Sequence, residues 1–122
     1  MERAPIDCGA PAVSVVLCTF NRSHLLGEAI EALLNQTPGT PLYEVVVVDN
    51  NSTDATREVV GRFMGSGIVR YEFEARQGLS AARNHGVAMS RAGILAFTDD
   101  DVRVDSTWVR SIVRTFDASP NS

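Results

Sequence analysis

The sequence predicts an α/β fold in which a parallel β-sheet is covered by helices on both faces. Four short apolar runs alternate with segments of helical periodicity along the 122 residues. The first two runs are almost continuously apolar and rich in β-branched residues, which is typical of strands buried on both faces. This βαβαβαβ order predicts a parallel sheet with right-handed crossovers.

The first half of the chain begins with a lead-in over residues 1–12, where prolines and glycine predict a flexible segment. A strand over 13–19 follows. The next helix is predicted over 24–36, with Ser23 as its N-cap. Its apolar residues recur at helical spacing and form one face toward the sheet: Leu25, Leu26, Ala29, Ile30, Leu33 and Leu34.

The same pattern then repeats. A second buried strand is predicted over 43–48 and a helix over 55–64, capped by a residue of the polar turn Ser52, Thr53 or Asp54. The third strand, over 68–73, alternates in character, which suits the edge of a sheet.

The last elements are a helix over 79–90, a strand over 94–98 and a final helix that Asp105 or Ser106 can cap. The final helix carries the apolar residues Trp108, Val109, Ile112, Val113 and Phe116. We expect residues 13–122 to form one domain.

Composition excludes several function classes. No apolar run reaches 18 residues, so no transmembrane segment is predicted, and we expect a cytoplasmic protein, with the inner face of the membrane as an alternative. The formal charge is −4 without a basic run, which argues against nucleic acid as a partner. All eleven basic residues are arginine, which excludes a P-loop and a Schiff-base lysine.

Three consecutive carboxylates, Asp99, Asp100 and Asp101, follow the fourth predicted strand. Adjacent acids repel one another unless a cation or water separates them. Ligands of parallel α/β sheets bind beyond the carboxyl ends of the strands, so this cluster could hold Mg²⁺ or Mn²⁺ against a phosphate. The alternative is a solvated acidic loop.

Polar stretches also follow the other three strands, and a parallel sheet brings all four stretches to one edge. They lie at residues 21–22, 49–51, 76–78 and 99–101. Arginine donors beside carboxylates suit a metal-bound diphosphate. A dinucleotide-binding fingerprint is excluded because residues 18–23 contain no glycine, and a response-regulator receiver would need a lysine.

Four motifs in this order and spacing resemble family 2 glycosyltransferases. They read VSVVLCTFNR at 13–22, VVVVDNNSTD at 45–54, GLSAARNHG at 78–86 and FTDDD at 97–101. The resemblance extends over residues 13–116, which is nearly the whole chain. It implies the N-terminal half of a GT-A fold, with a Rossmann-like parallel sheet.

The resemblance also implies that this half binds a nucleotide-diphosphate sugar. Carried over by position, Thr19, Asn21 and Arg22 would contact the nucleoside and its phosphates. Asp49 would contact the base or ribose, and Arg83 would lie near the diphosphate.

The acidic triplet resembles the DxD motif of the family. Asp99 and Asp101 would then face the ribose and a divalent cation, Mg²⁺ or Mn²⁺, although Asp100 could take either place. Asn50 stands where many relatives have a second acid. Because an amide donates as well as accepts, the identity of the base stays open.

The resemblance implies inverting transfer to an acceptor hydroxyl of a glycan, a lipid or a small molecule. The general base is expected downstream of Ser122, so no catalytic residue is assigned. The alternative is a non-catalytic nucleotide-binding or interaction module. We also expect a homodimer through the bare edge of the strand over 94–98.

Overall fold

A computed structural model describes residues 10–118, so residues 1–9 of the predicted lead-in lie outside the described part. Four strands and four helices alternate, and a short 3₁₀ turn, Met64–Ser66, precedes the third strand. In chain order they are β1 (Val13–Thr19), α1 (Ser23–Leu34), β2 (Tyr43–Asp49), α2 (Thr56–Gly61), β3 (Val69–Phe73), α3 (Leu79–Met89), β4 (Ile94–Asp99) and α4 (Trp108–Ala118).

The strands form one sheet in the order β3-β2-β1-β4, and every neighbouring pair is parallel. In the centre of the sheet, Val15 of β1 pairs with Val45 of β2 and with Ala96 of β4. The predicted edge position of the third strand is confirmed. The strand order reverses between β1 and β4, and such a switch point opens a crevice at the carboxyl ends of the strands.

Helices cover both faces of the sheet, as predicted. One face carries the larger apolar cluster and is covered by α1, α2 and α4, whose buried residues include Ile30, Val60 and Val109. The other face carries the smaller apolar cluster and is covered by α3, where Ala82 packs against Val16, Val46 and Val48. Trp108 is half-buried against the larger cluster, whereas Phe116 stays 42% exposed.

Both ends of α1 differ from the predictions. Ser23 is the first residue of α1 and does not cap it, because Arg22 occupies the N-cap position; the Ser23 amide donates to Asp54 Oδ2 at 3.0 Å. Gln36 lies beyond the end of α1, where its side chain donates to the Asp105 carbonyl at 3.0 Å and accepts the Val109 amide at 3.0 Å. These contacts connect the end of α1 to the start of α4.

The second helix, α2, is shorter than predicted and ends at Gly61. Gly67, with φ at 77°, then ends the 3₁₀ turn and leads into β3. Asp54 provides a hydrogen-bond acceptor at the start of α2, since its Oδ1 accepts the Thr56 amide at 3.0 Å. Within residues 10–118, no helix combines the length and apolarity needed to cross a membrane.

Candidate functional site

A cleft of about 320 Å³ opens above the carboxyl ends of β1 and β2, on the α3 side of the sheet. We call it the base cleft, since the resemblance to family 2 glycosyltransferases implies that a nucleobase or ribose lies at the end of β2. Phe20 and Leu79 are 45% and 54% exposed at its mouth, and Gln77 and Gly78 form one wall. It is lined by Cys18, Thr19, Phe20, Asn50, Gln77, Gly78, Leu79 and Ala82.

A second cleft, of about 350 Å³, adjoins the first because both include Phe20. It contains Arg22 and the three carboxylates Asp99, Asp100 and Asp101, and we call it the acidic cleft. Topology alone brings these residues together, since Arg22 follows β1 and the carboxylates end β4 at the neighbouring position in the sheet.

The three carboxylates of the acidic cleft are not equivalent. Asp100 is 6% exposed and accepts the Thr19 hydroxyl at 2.9 Å, whereas Asp99 and Asp101 are exposed to solvent. The Arg22 Nη1 atom lies 3.7 Å from Asp100 Oδ1 and 3.9 Å from Asp101 Oδ2. Burial raises the pKa of Asp100 above its ordinary value, and the hydrogen bond from Thr19 and the charge of Arg22 oppose this rise.

Two exposed carboxylates match the donor set that Mg²⁺ uses with substrate phosphates, namely one or two carboxylates with phosphate and water oxygens. Among residues 10–118, no cluster of three or more His, Cys, Asp or Glu side chains could hold a metal ion without such help. Asp99 and Asp101 are therefore the residues of the acidic cleft that could hold a cation.

Asn50 is 6% exposed on the base cleft and connects the two loops that border it. Its Nδ2 donates to the carbonyls of Glu74 at 3.1 Å and Arg76 at 2.8 Å, and its Oδ1 accepts the Gly78 amide at 2.9 Å. A carboxylate could not donate to the two carbonyls. The amide at this position therefore organises the loop between β3 and α3.

Asp49, the last residue of β2, and Asn21, in the loop after β1, both make hydrogen bonds within the protein. Asp49 is 2% exposed and accepts the Ser52 amide at 2.9 Å and the Tyr71 hydroxyl at 2.6 Å. It is not among the described residues that line the base cleft. Asn21, at φ 52°, accepts the Thr53 amide at 2.8 Å, which holds the β1–α1 and β2–α2 loops together.

Arg83 is exposed on α3, and its guanidinium carbon lies 5.6 Å from the centre of the Phe97 ring. Burial raises the pKa of the Cys18 thiol, and the positive charge of Arg83 opposes that rise. The guanidinium therefore lies over the ring of Phe97, on the side of α3 that faces β4.

Several residues of the site were not predicted. Phe20 carries a weak sequence signal, as an aromatic residue in a polar turn. His85 has no distinct sequence signal, and it is half-buried between Glu72 and Glu74, at 3.1 Å from each. Gln77 belongs to the predicted polar stretch 76–78 and lines the base cleft, whereas Tyr71 contacts Asp49 and lies outside the lining of both clefts.

The family model described as "Glycosyl transferase family 2" matches residues 14–122. The chain belongs to this family. Its relatives include validoxylamine A glucosyltransferase from Streptomyces hygroscopicus subsp. jinggangensis, 37% identical over 105 residues, which cover 84% of this chain and 25% of the relative. Glycosyltransferase AglE from Haloferax volcanii is 35% identical over 108 residues, which cover 86% of this chain and 35% of AglE.

Solved structures with the same fold confirm the predicted GT-A architecture. The mannosyltransferase PcManGT from Pyrobaculum calidifontis, in complex with GDP-Man and Mn²⁺, has a TM-score of 0.78 and 27% identity over 88% of this chain and 32% of its own. S. aureus TarS (residues 1–349) has a TM-score of 0.79 and 23% identity, covering 87% of this chain and 32% of TarS, and supports the fold alone. The chain thus spans about a quarter to a third of the length of these proteins.

Proposed function

We propose that this domain binds a nucleotide-diphosphate sugar together with a divalent cation, as the donor half of an inverting glycosyltransferase. The observation that carries the proposal is the acidic cleft, where Arg22 and the exposed carboxylates of Asp99 and Asp101 adjoin an apolar cleft. The GDP-Man and Mn²⁺ complex of PcManGT supports the same chemistry for a relative at 27% identity.

The two clefts suggest how the donor lies. The flat base and its ribose fit the base cleft, against the exposed ring of Phe20 and the wall formed by Gln77 and Gly78. The diphosphate then reaches the acidic cleft, where Arg22 can donate to it, while Arg83 approaches it from α3. Guanidinium groups suit this task because they present several N–H donors in a planar fork.

We assign Asp99 and Asp101 as the ligands of the cation, Mg²⁺ or Mn²⁺. The buried Asp100 would support these two carboxylates from the protein side of the cleft. Asp100 already accepts the Thr19 hydroxyl, so Thr19 acts through Asp100 rather than on the nucleotide. When bound, the cation would supply positive charge that stabilises the leaving diphosphate. Arg22, at 3.7–3.9 Å from Asp100 and Asp101, would hold these carboxylates in place and share that charge.

In the proposed reaction, an acceptor hydroxyl oxygen attacks the anomeric carbon while the bond to the diphosphate oxygen breaks. The hydroxyl proton passes to a general base, and the nucleoside diphosphate leaves with the bonding electron pair. No described residue is assigned as that base. A non-catalytic nucleotide-binding module is the alternative, and it shares the donor site but lacks the transfer step.

We expect Asp101→Asn to weaken the Mn²⁺-dependent binding of UDP or GDP by about 1.5–3 kcal/mol, because it removes a charged oxygen ligand from the cation. Calorimetric titrations with and without Mn²⁺ measure the effect. Glu31→Gln, at an exposed position of α1, is the matched control and should bind like the wild type. Equal affinity of the wild-type chain with and without the cation would favour the solvated acidic loop.

A further inference from the structure

The loop between β3 and α3, residues 74–78, forms one wall of the base cleft, and its position depends on Glu74. This residue is 9% exposed. Its amide donates to the Asp49 carbonyl at 2.9 Å, and its carbonyl accepts the Asn50 side chain at 3.1 Å. Its carboxylate Oε2 accepts the Arg76 amide at 2.9 Å, so Glu74 anchors both the start and the turn of the loop.

His85 of α3 holds the other oxygen of this carboxylate. Its Nδ1 lies 3.1 Å from Glu74 Oε1, and its Nε2 lies 3.1 Å from Glu72 Oε1. A neutral imidazole has one N–H, so its second nitrogen would present a lone pair to a carboxylate oxygen. Only the protonated ring donates to both partners, and the two-sided geometry therefore suits the imidazolium.

The charges around this ring favour that state. Partial burial lowers the pKa of His85, but the hydrogen bonds and negative charges of Glu72 and Glu74 raise it above the ordinary value of 6.5. Two arginines partly offset the negative charge of these carboxylates at His85, since Arg70 lies 3.6 Å from Glu72 and Arg76 lies 3.4 Å from Glu74. The contact is thus fully present below about pH 6.5 and is lost as the pH rises through the higher folded-state pKa.

We propose that His85 is a positioning residue for the base cleft: its protonated ring clamps Glu74 and so holds the wall formed by residues 74–78 against the bound nucleotide. The inference rests on the proposed nucleotide site and adds a pH-dependent element to it. When the His85 ring loses one proton, it can donate to only one of the two carboxylates, and the other hydrogen bond is lost. Gln77 and Gly78 then lose their fixed position, and the affinity for the nucleotide falls.

The affinity for UDP with Mg²⁺, measured by calorimetry from about pH 6.5 to about pH 9, tests this proposal, with GDP titrated in parallel. The wild type should lose about tenfold in affinity over this range, the size of one charge-assisted hydrogen bond. His85→Gln should bind weakly at every pH and change less than about twofold. His24→Gln, at an exposed position of α1, is the control and should follow the wild type. Equal pH dependence in His85→Gln and the wild type would overturn the proposal.

NMR separates this inference from the proposed function. The chain has two histidines, so His24→Gln assigns the imidazole signals. In the ligand-free protein, the amide signals of Gln77 and Gly78 should shift with the titration of His85, and they should not shift in His85→Gln. If neither nucleotide binds at any pH, the proposed function fails. The amide shifts of the ligand-free protein then still show whether His85 positions the loop of residues 74–78. The proposed role of His85 would be refuted if these amide signals did not shift as His85 titrates.

Discussion

Glu44→Ala is expected to lower the free energy of unfolding by about 3–5 kcal/mol, the cost of removing one partner from a buried ion pair. Glu44 is 5% exposed at the edge of the sheet opposite the clefts. Its carboxylate accepts the Ser14 hydroxyl at 2.5 Å, the Arg91 amide at 2.8 Å and Arg70 Nη1 at 2.8 Å. Alanine would leave all three donors without this acceptor, and the Ser14 hydroxyl among them is fully buried.

Urea denaturation measured by the fluorescence of Trp108, the single tryptophan, gives this free energy. Glu31→Ala, at an exposed position of α1, is the control and should change it by less than about 0.5 kcal/mol. An effect of Glu44→Ala as small as that of the control would show that the network contributes nothing to stability.

The same network predicts a pH dependence. Burial raises the pKa of Glu44, but the hydrogen bonds from Ser14, Arg91 and Arg70 outweigh burial and hold the pKa below the ordinary 4.5. A lowered pKa means that the stabilisation is present above about pH 4.5 and is lost as the pH falls through the folded-state pKa. The stability difference between wild type and Glu44→Gln should therefore shrink in acid.

Gly86→Ala is expected to cost about 2–3 kcal/mol of stability, because α3 lies too close to the sheet at this residue for a side chain. A Cβ atom at Gly86 would lie 2.5 Å from Cγ1 of Val16 and 3.2 Å from Cγ2 of Val48. Both valines are fully buried, and their branched side chains have little rotamer freedom. The sheet or the helix would have to move.

Gly61→Ala is the matched control, since it also lies in a helix and a Cβ there would meet no atom within 4 Å. It should leave stability unchanged or raise it slightly, because alanine favours the helical conformation. Val16→Ala should recover part of the stability in the Gly86→Ala background, which a double-mutant cycle by urea denaturation measures. Additive effects of these two substitutions would refute the close packing.

The fold could be predicted from sequence because its signals are local and agree with one another. The central strands are mostly apolar, as in the four consecutive valines of β2, and each is followed by a polar turn and a helical stripe. Parallel topology then brings all four turns to one edge. The observed contacts of Arg22 with Asp100 and Asp101, and of Asn50 with the 74–78 loop, confirm this convergence.

The roles of individual residues within the site could not be predicted in the same way. A strand buried on both faces has no alternation, so nothing in β2 indicates that Asn50, rather than Asp49, reaches the base cleft. The acidic triplet repeats one residue type, and only burial and Thr19 distinguish Asp100 from its neighbours. The partners of His85 lie 11 and 13 residues away in the chain, so their contact depends on the tertiary fold.

The central claim is that a nucleoside diphosphate and a divalent cation meet at Asp99 and Asp101, and Mn²⁺-induced line broadening in NMR spectra tests it most directly. Mn²⁺ is paramagnetic and broadens the amide signals nearest to it. With UDP or GDP present, substoichiometric Mn²⁺ should first broaden the signals of Phe20, Arg22 and residues 99–101, and it should leave those around Glu44, at the opposite edge, sharp. Broadening centred on other acidic residues, or the same weak broadening with and without the nucleotide, would contradict the assignment.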